Sequence, residues 1–191
     1  MGCFLQTDPD SRSHPRTSAA PETSDKRYIH RMDNRKTYLV RPAKREEWDE
    51  AMALAWKTFM HFVAPDYSQR GQDSFLEFIS DNRLHRMFLI GEYHMFVAVD
   101  ELNPKVVGVI TLRSKSHISL LFVDEKYHHR GVGKSLIDAA AVFVKNDSGA
   151  NSMTVHSSPY AVDFYIKQGF EITGPQQEND GMLYTPMVMW I

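Results

Sequence analysis

The stretch that decides the fold runs Phe122-Val-Asp-Glu-Lys-Tyr-His-His-Arg-Gly-Val-Gly-Lys-Ser135. It continues an almost uninterrupted apolar run over residues 118–123, which is typical of a central strand covered on both faces. Helical spacing of apolar residues begins at Val132. A buried strand, a short loop and a helix therefore follow one another directly, and Gly131 and Gly133 stand at the helix start.

A helix start of this kind predicts an anion site. The first backbone N–H groups of a helix have no partner inside it, and the helix dipole favours negative charge there. Glycine lets a phosphate approach the backbone closely, and Lys134 or Arg130 can add charge at the rim. The spacing is neither a GxxxxGK[ST] loop nor a GxGxxG fingerprint, because Leu136 stands where a third glycine would be. On this motif alone, a tight strand–helix turn without a ligand remains an open alternative.

Apolar periodicity and turn residues place the other elements. Further strands are expected over residues 38–41, 94–99, 106–112, 153–155, 170–172 and 182–190, and helices over 45–63, 72–80, 83–91, 131–145 and 159–168. This order predicts an α/β fold, a mixed sheet with helices on both faces. Residues 1–36 are rich in Ser, Thr, Pro, Asp and Arg and are expected to form a disordered tail, before a single domain at residues 37–191. Whether residues 1–31 belong to the native chain is left open, since Met32 precedes the periodic sequence.

Composition narrows the class of protein. The net charge of the 191 residues is -2, so no bulk basic field favours nucleic acid or an anionic membrane. The single cysteine, Cys3, excludes a disulfide within the chain, and the histidines form no spacing typical of a metal site. No apolar run approaches the ~20 residues of a membrane span. We therefore expect a cytoplasmic protein that binds no metal, no nucleic acid and no membrane.

Two segments resemble the GCN5-related N-acetyltransferase (GNAT) family. The pattern from Val123 through Tyr127 to Gly131-x-Gly133 looks like the family's acetyl-CoA signature, Gln/Arg-x-x-Gly-x-Gly/Ala, with His128 in the Gln/Arg place. Downstream, His156-Ser-Ser-Pro-Tyr-Ala-Val-Asp-Phe-Tyr-Ile-Lys-Gln-Gly-Phe170 looks like N-x-x-x-x-A-x-x-F-Y-x-x-x-G-F, with His156 in place of the asparagine. The resemblance covers residues 38–190 in element order and residues 119–170 in specific motifs.

The resemblance implies a largely antiparallel sheet whose central strands splay apart at residues 119–123 and 153–156. It also implies acetyl-CoA as co-substrate. The pantetheine arm would pair with the backbone of Phe122 and Val123 and bond to His156, while His128 would be either a phosphate contact or a surface loop residue. The pyrophosphate would lie on backbone N–H groups of the loop and first helical turn: His129, Arg130, Gly131, Val132, Gly133, Lys134 and Ser135.

The same resemblance implies direct attack by an amine on the thioester in a ternary complex. Tyr165 would be the general acid that protonates the departing thiolate, the alternative being a core tyrosine. His117 stands where some relatives carry a glutamate, and a histidine is a competent base near neutral pH. The alternative for His117 is a partly exposed histidine at a strand end. Asp66, in an aromatic and acidic loop, could attract a cationic amine, although a polar surface turn explains it as well.

The expected function is therefore N-acetyl transfer from acetyl-CoA to a primary amine, either a small molecule or a peptide. The alternative is a module of the same fold that binds an acyl-CoA without turnover, which the substitutions at His128 and His156 keep open. The sequence leaves the acceptor unnamed. A homodimer through the last strands is a further expectation, because residues 182–189 are rich in methionine.

Overall fold

The computed structural model describes residues 37–191, so the expected disordered tail and the question of Met32 lie outside the described range. The strands are β1 (Tyr38–Pro42), β2 (His94–Asp100), β3 (Val106–Arg113), β4 (His117–Val123), β5 (Ser152–Ser157), β6 (Glu171–Ile172), β7 (Gln177–Asn179) and β8 (Met182–Trp190). The helices are α1 (Trp48–Phe62), α2 (Gln69–Ile79), α3 (Asn82–Leu89), α4 (Val132–Phe143) and α5 (Val162–Lys167).

The strands form one eight-stranded sheet in the order β1-β2-β3-β4-β5-β8-β6, with β7 paired to β8. Every pairing is antiparallel except that of β4 with β5, which is parallel. Helices cover both faces. Residues such as Leu136 of α4 and Tyr165 of α5 pack in one core, and residues such as Phe59 of α1 and Phe75 of α2 pack in the other. The predicted mixed, largely antiparallel sheet with helices on both faces is confirmed.

Side-chain caps explain where several helices begin. The Ser68 hydroxyl accepts a hydrogen bond from the Gly71 N–H at 3.2 Å, and Asp81 accepts one from the Arg83 N–H at 2.7 Å. Because Ser68 caps the chain, α2 begins three residues before the position that apolar spacing predicts. The predicted helix over residues 159–168 is instead a 3₁₀ turn, Pro159–Ala161, followed by α5.

The junction of β4 with β5 is short, and this opens the middle of the sheet. The two strands pair only at His117 with Thr154 and at Ile118 with Val155. Directly beyond, the register with β3 shifts so that Ser119 has no partner, which is a β-bulge. Because a bulge bends its strand and ends regular pairing, β4 diverges from β5 from Ser119 onward. The predicted splay of the central strands is present at this position.

The β7–β8 hairpin is fixed to the start of α2. Tyr67 donates a hydrogen bond to the Leu183 carbonyl at 2.8 Å, and Arg70 forms an ion pair with Asp180 at 2.7 Å. At the closest point, a Cβ added to Gly71 would overlap the Gly181 carbonyl. We call this the Gly71–Gly181 contact. Strand β7 was not predicted, because its side chains are exposed and polar and give no apolar pattern.

None of the helices within residues 37–191 is long and apolar enough to cross a membrane. Over the same range, no group of three or more His, Cys, Asp or Glu side chains is arranged to hold a metal ion.

Candidate active site

The loop between β4 and α4 turns through left-handed backbone conformations. His129 has φ of 57° and Gly131 has φ of 78°. Gly131 is the residue at the N-cap of α4, and it supplies no side chain to satisfy the first N–H groups of the helix. The Ser135 N–H bonds back to the Gly131 carbonyl at 2.9 Å. The preceding N–H groups of the first turn are therefore available to an anion in front of the helix.

A tyrosine of the distant edge strand holds this loop in place. The Tyr38 hydroxyl lies 3.3 Å from the Arg130 carbonyl, to which it donates, and 3.2 Å from the Ser135 hydroxyl. Tyr38 is buried, so the loop is anchored from β1 across the end of the sheet. This contact could not be predicted from the sequence, because more than 90 residues separate the partners and nothing local to Tyr38 signals it.

A second tyrosine, Tyr127, joins the loop to the end of β2. Tyr127 donates a short hydrogen bond to the Asp100 carboxylate, which also accepts from the Leu102 N–H at 2.8 Å. The bond from Tyr127 is the main reason that the pKa of Asp100 lies below its usual range. The Arg130 guanidinium lies 5.4 Å from the centre of the Tyr127 ring, within cation–π range. Arg130 is thus held against the protein at the base of the loop.

One crevice of about 1620 Å³ runs along β4 and passes through the splay. Its lining includes the following residues expected at the site: His117, Phe122, Val123, His128, His129, Gly131, Val132, Gly133, Lys134, His156 and Tyr165. Arg130 and Ser135 do not line it. The opposite wall is aromatic and comes from α1 and α2, with Phe59, Phe62 and Phe75. The structure therefore gathers both sequence motifs around a single space.

Several of these residues have side chains that are buried or already paired, which limits the groups that can contact a ligand. The Val132 side chain is buried in the core, so only its backbone can serve a ligand. The Lys134 ammonium is paired with both oxygens of Asp138 at 2.9 Å. Gly133 packs closely against the Phe164 ring. A Cβ added to Gly133 would lie only 3.0 Å from that ring. Gly133 therefore allows α5 to approach the start of α4 closely.

His128 is tied to the end of the strand. Its Nε2 lies 2.9 Å from the Val123 carbonyl, and its ring lies 5.0 Å from that of Phe62. The carbonyl must accept, so Nε2 carries the hydrogen in this contact. His128 thereby joins the loop to the strand that precedes it and stands beside the crevice as an ordered side chain.

Tyr165 lies in α5, buried to 4% exposure, with its ring edge-on to Phe164 and Phe170 at 5.4 and 5.1 Å. Burial raises the pKa of its hydroxyl well above the ordinary value. A raised pKa makes this hydroxyl a weaker acid than an ordinary tyrosine, so proton transfer to a thiolate requires close contact with the sulfur.

His117 has both ring nitrogens engaged. Nδ1 lies 2.8 Å from the Thr154 hydroxyl and Nε2 lies 3.2 Å from Nη2 of Arg113. Arginine can only donate, so Nε2 accepts and Nδ1 carries the hydrogen. Burial, with the charges of Arg113 and His156, lowers the pKa of His117 to about 3. An occupied lone pair and a low pKa argue against the base role that the resemblance implies.

His156 follows in β5 and is partly exposed to solvent. Its ring stacks on Tyr184 at 4.3 Å and lies edge-on to His117 at 4.9 Å. Burial, and then the charge of Arg113, lower its pKa. Asp66 is exposed on the turn after α1 and does not line the crevice, which favours the surface-turn interpretation.

Comparison with known proteins agrees with this arrangement. Residues 63–191 match the model of the acetyltransferase (GNAT) domain. The peptidyl-lysine N-acetyltransferase YjaB of Salmonella typhimurium is 26% identical over 141 residues, which are 74% of this chain and 88% of that protein.

Two solved structures share the fold. A GCN5-related N-acetyltransferase from Rhodopseudomonas palustris superposes with a TM-score of 0.69 at 26% identity, covering 82% of this chain and 97% of its own. The PaiA N-acetyltransferase of Thermoplasma acidophilum, solved in complex with coenzyme A, gives 0.66 at 18% identity, covering 82% and 100%. Because the acetyltransferase domain model matches residues 63–191, which are most of the chain, the chain belongs to the GNAT family of acetyltransferases, enzymes that use acetyl-CoA.

Proposed function

We propose that this enzyme transfers the acetyl group of acetyl-CoA to the side-chain amine of a lysine in a peptide, by direct attack in a ternary complex. The observation that carries the proposal is the uncapped start of α4 at Gly131, which opens onto a crevice passing between β4 and β5. The lysine acceptor follows from the similarity to YjaB, a peptidyl-lysine N-acetyltransferase.

In this proposal the backbone N–H groups of the loop and first helical turn, from His129 to Lys134, bind the pyrophosphate, since the Ser135 N–H is already bonded to the Gly131 carbonyl. The helix dipole adds to their attraction for negative charge. Arg130 acts at the rim, and Tyr38 keeps the loop in the binding conformation through its contacts with Arg130 and Ser135. Because Gly131 has no side chain, no cap of its own competes with the pyrophosphate for the N–H groups of the first turn.

The pantetheine arm follows the edge of β4 that the splay leaves free. Five residue-to-residue steps lead from Ile118 to Val123, and a strand rises ~3.3 Å per residue, so the free edge is ~17 Å long. Phe122 and Val123 belong to this stretch of β4, and His156 lines the same crevice from β5. An extended arm can pair there as an added strand would.

The chemical step forms a C–N bond and breaks the C–S bond. The neutral amine attacks the thioester carbonyl, and the tetrahedral intermediate expels the thiolate of coenzyme A. Tyr165 is assigned as the donor of a proton to that sulfur, since it lines the crevice. The amine proton is assigned to solvent, because His117 has its lone pair occupied by Arg113.

Calorimetry with acetyl-CoA on the full chain tests the cofactor site. Wild type should bind, Gly131→Asp should not, and Gly149→Asp is the matched control. Gly149 shares the left-handed conformation of Gly131 but does not line the crevice. Loss of binding in both variants, or in neither, would contradict the assignment of the phosphates to the start of α4.

Thiol release with lysine peptides, read together with the mass of the peptide product, tests the acceptor. We expect a gain of one acetyl group on lysine and a strong loss of rate in Tyr165→Phe. Binding of acetyl-CoA without thiol release from any lysine peptide would refute the acceptor and leave the cofactor site standing.

A further inference from the structure

We propose that Arg113 forms a carboxylate-binding subsite at the closed end of the splay, so that the preferred acceptor carries a carboxylate near its reactive amine. The inference deepens the proposed function and rests on it for the location of the acceptor. It assigns to His117 a positioning role in place of the base role.

The subsite is a row of side chains across three neighbouring strands. Arg113 of β3 is the register partner of His117 in β4, and His117 is in turn the partner of Thr154 in β5. Residues directly opposite one another in a sheet project from the same face. The row lies at the last pairing of β4 with β5, where the crevice between the strands begins.

Hydrogen bonds fix the orientation of the His117 ring within this row. Thr154 accepts the Nδ1 hydrogen of His117, which turns the Nε2 lone pair toward the Arg113 guanidinium. Since its pKa is about 3, His117 is neutral at working pH and places no positive charge beside the arginine. A neutral, tethered imidazole is suited to orienting a guanidinium while leaving most of its donors free.

The Arg113 charge is not neutralised by the protein. Its only hydrogen bond within residues 37–191 is to His117, and the carboxylates in that range lie beyond ion-pair distance from it. This includes Glu178, which lines the same crevice. Arg113 is exposed and also lines the crevice, so an incoming molecule can reach it.

A guanidinium with a free edge matches a carboxylate by two parallel hydrogen bonds, which gives both orientation and charge selectivity. The carboxylate has two possible sources. It is the α-carboxylate or terminal carboxylate of a small amino acid, or the side chain of an Asp or Glu close to the acceptor lysine of a peptide. Both present the same group to Arg113.

Two isosteric amines test the inference on the full chain, 6-aminohexanoate and 6-aminohexanamide, which differ in charge but hardly in shape. We expect kcat/KM, measured by thiol release from acetyl-CoA, to favour the acid by about tenfold, the effect of a charge-assisted hydrogen bond. In Arg113→Gln the ratio of acid to amide should fall to about one. Arg113→Lys should retain part of it, because a lysine keeps the charge and loses the fork.

Arg83→Gln is the control, because Arg83 is the other arginine that lines the crevice. The acid preference should survive in Arg83→Gln and should weaken in His117→Gln, with the KM for acetyl-CoA unchanged in the latter. An equal loss of the acid preference in Arg83→Gln and Arg113→Gln would overturn the inference, since it would show a general effect of positive charge in the crevice. A wild type that acetylates both amines equally well would overturn it too.

Peptides distinguish the two sources of the carboxylate. A lysine peptide with a neighbouring Asp is compared with the same peptide carrying Asn. An Arg113-dependent preference in the peptides alone identifies an acidic peptide, and one in the aminohexanoate pair alone identifies a small amino acid.

Binding provides a readout that needs no turnover. In calorimetry with the coenzyme A complex, 6-aminohexanoate should bind wild type more tightly than the amide and more tightly than it binds Arg113→Gln. Equal binding in these comparisons refutes the subsite even if no amine is acetylated, whereas failed acetylation with Arg113-dependent binding refutes only the proposed reaction.

Discussion

Replacing Gly131 by alanine should weaken both the fold and the binding of acetyl-CoA. Gly131 has φ of 78° and ψ of 5°, the left-handed region, where an L-residue costs ~1–2 kcal/mol. An added Cβ would lie 3.6 Å from the Tyr38 hydroxyl, an ordinary contact, so no steric overlap adds to that cost. We therefore expect the free energy of unfolding to fall by ~1–2 kcal/mol.

Gly149 provides the matched control. Its φ of 68° and ψ of 11° nearly repeat those of Gly131, and an added Cβ would meet nothing within 4 Å. Gly149→Ala should therefore lose a similar ~1–2 kcal/mol, which corresponds to a fall in Tm of ~2–8 °C for a domain of this size. Urea unfolding of the two variants beside wild type measures this part.

The two variants should differ in their affinity for acetyl-CoA. A methyl group at residue 131 stands beside the N–H groups assigned to the phosphates, whereas residue 149 does not line the crevice. Losing one hydrogen bond to a charged group raises Kd by ~10-fold or more. Calorimetry should show that rise in Gly131→Ala alone. Equal Kd values would refute the contact of this backbone with phosphate, and unchanged stability in both variants would refute the strain argument.

Three further perturbations follow from the site and its support. Tyr165→Phe should lower the rate of thiol release by ~10²-fold or more while acetyl-CoA still binds in calorimetry; a wild-type rate would remove Tyr165 from the chemistry. Unfolded His117 takes up a proton near pH 6.5 but folded His117 only near pH 3, so the unfolded state binds more protons in that window and stability falls as the pH is lowered through it. His117→Gln should make the fall between pH ~7 and ~5 shallower in urea unfolding, and an identical slope would contradict the low pKa. Gly71→Ala should destabilise the fold by ~1–3 kcal/mol in the same assay through overlap with Gly181, and wild-type stability would mean that α2 shifts freely.

Local patterns sufficed for the strand–loop–helix segment. The apolar run of β4 and the two glycines after it lie close together in sequence. The unpaired N–H groups of a helix start depend on such local residues alone. The bounds of β8, Met182–Trp190, also agree with the prediction, because a run rich in apolar and aromatic residues can be recognised without its partner strands.

Contacts between residues far apart in the chain could not be predicted from the sequence. The bulge at Ser119 arises from the register with β3, and the anchoring of the loop by Tyr38 joins residues more than 90 positions apart. Nothing in the side chains of Ser119 or Tyr38 distinguishes them from other strand residues. Such positions acquire their roles only when the sheet brings them to their partners.

His117 shows the same limit in its chemistry. The sequence places it correctly at the start of β4, beside the splay. Its ordinary pKa near 6.5 suggests a base, but Thr154 and Arg113 occupy its two nitrogens and burial lowers that pKa. The role of a titratable residue depends on its neighbours, which a single sequence does not reveal.

The limited pairing of β4 with β5 has a consequence for the order in which the protein folds. Strands β2 to β4 follow one another directly in both the chain and the sheet, whereas β5 pairs with β8, which follows it in the chain only after β6 and β7. Contacts between residues far apart form slowly, because a long loop must close first. We expect two cooperative units, with the amides of β2 and β3 gaining protection from hydrogen exchange before those of β5. Simultaneous protection in a pulse-labelling experiment would mean that the splayed junction does not divide folding, even though it divides the sheet.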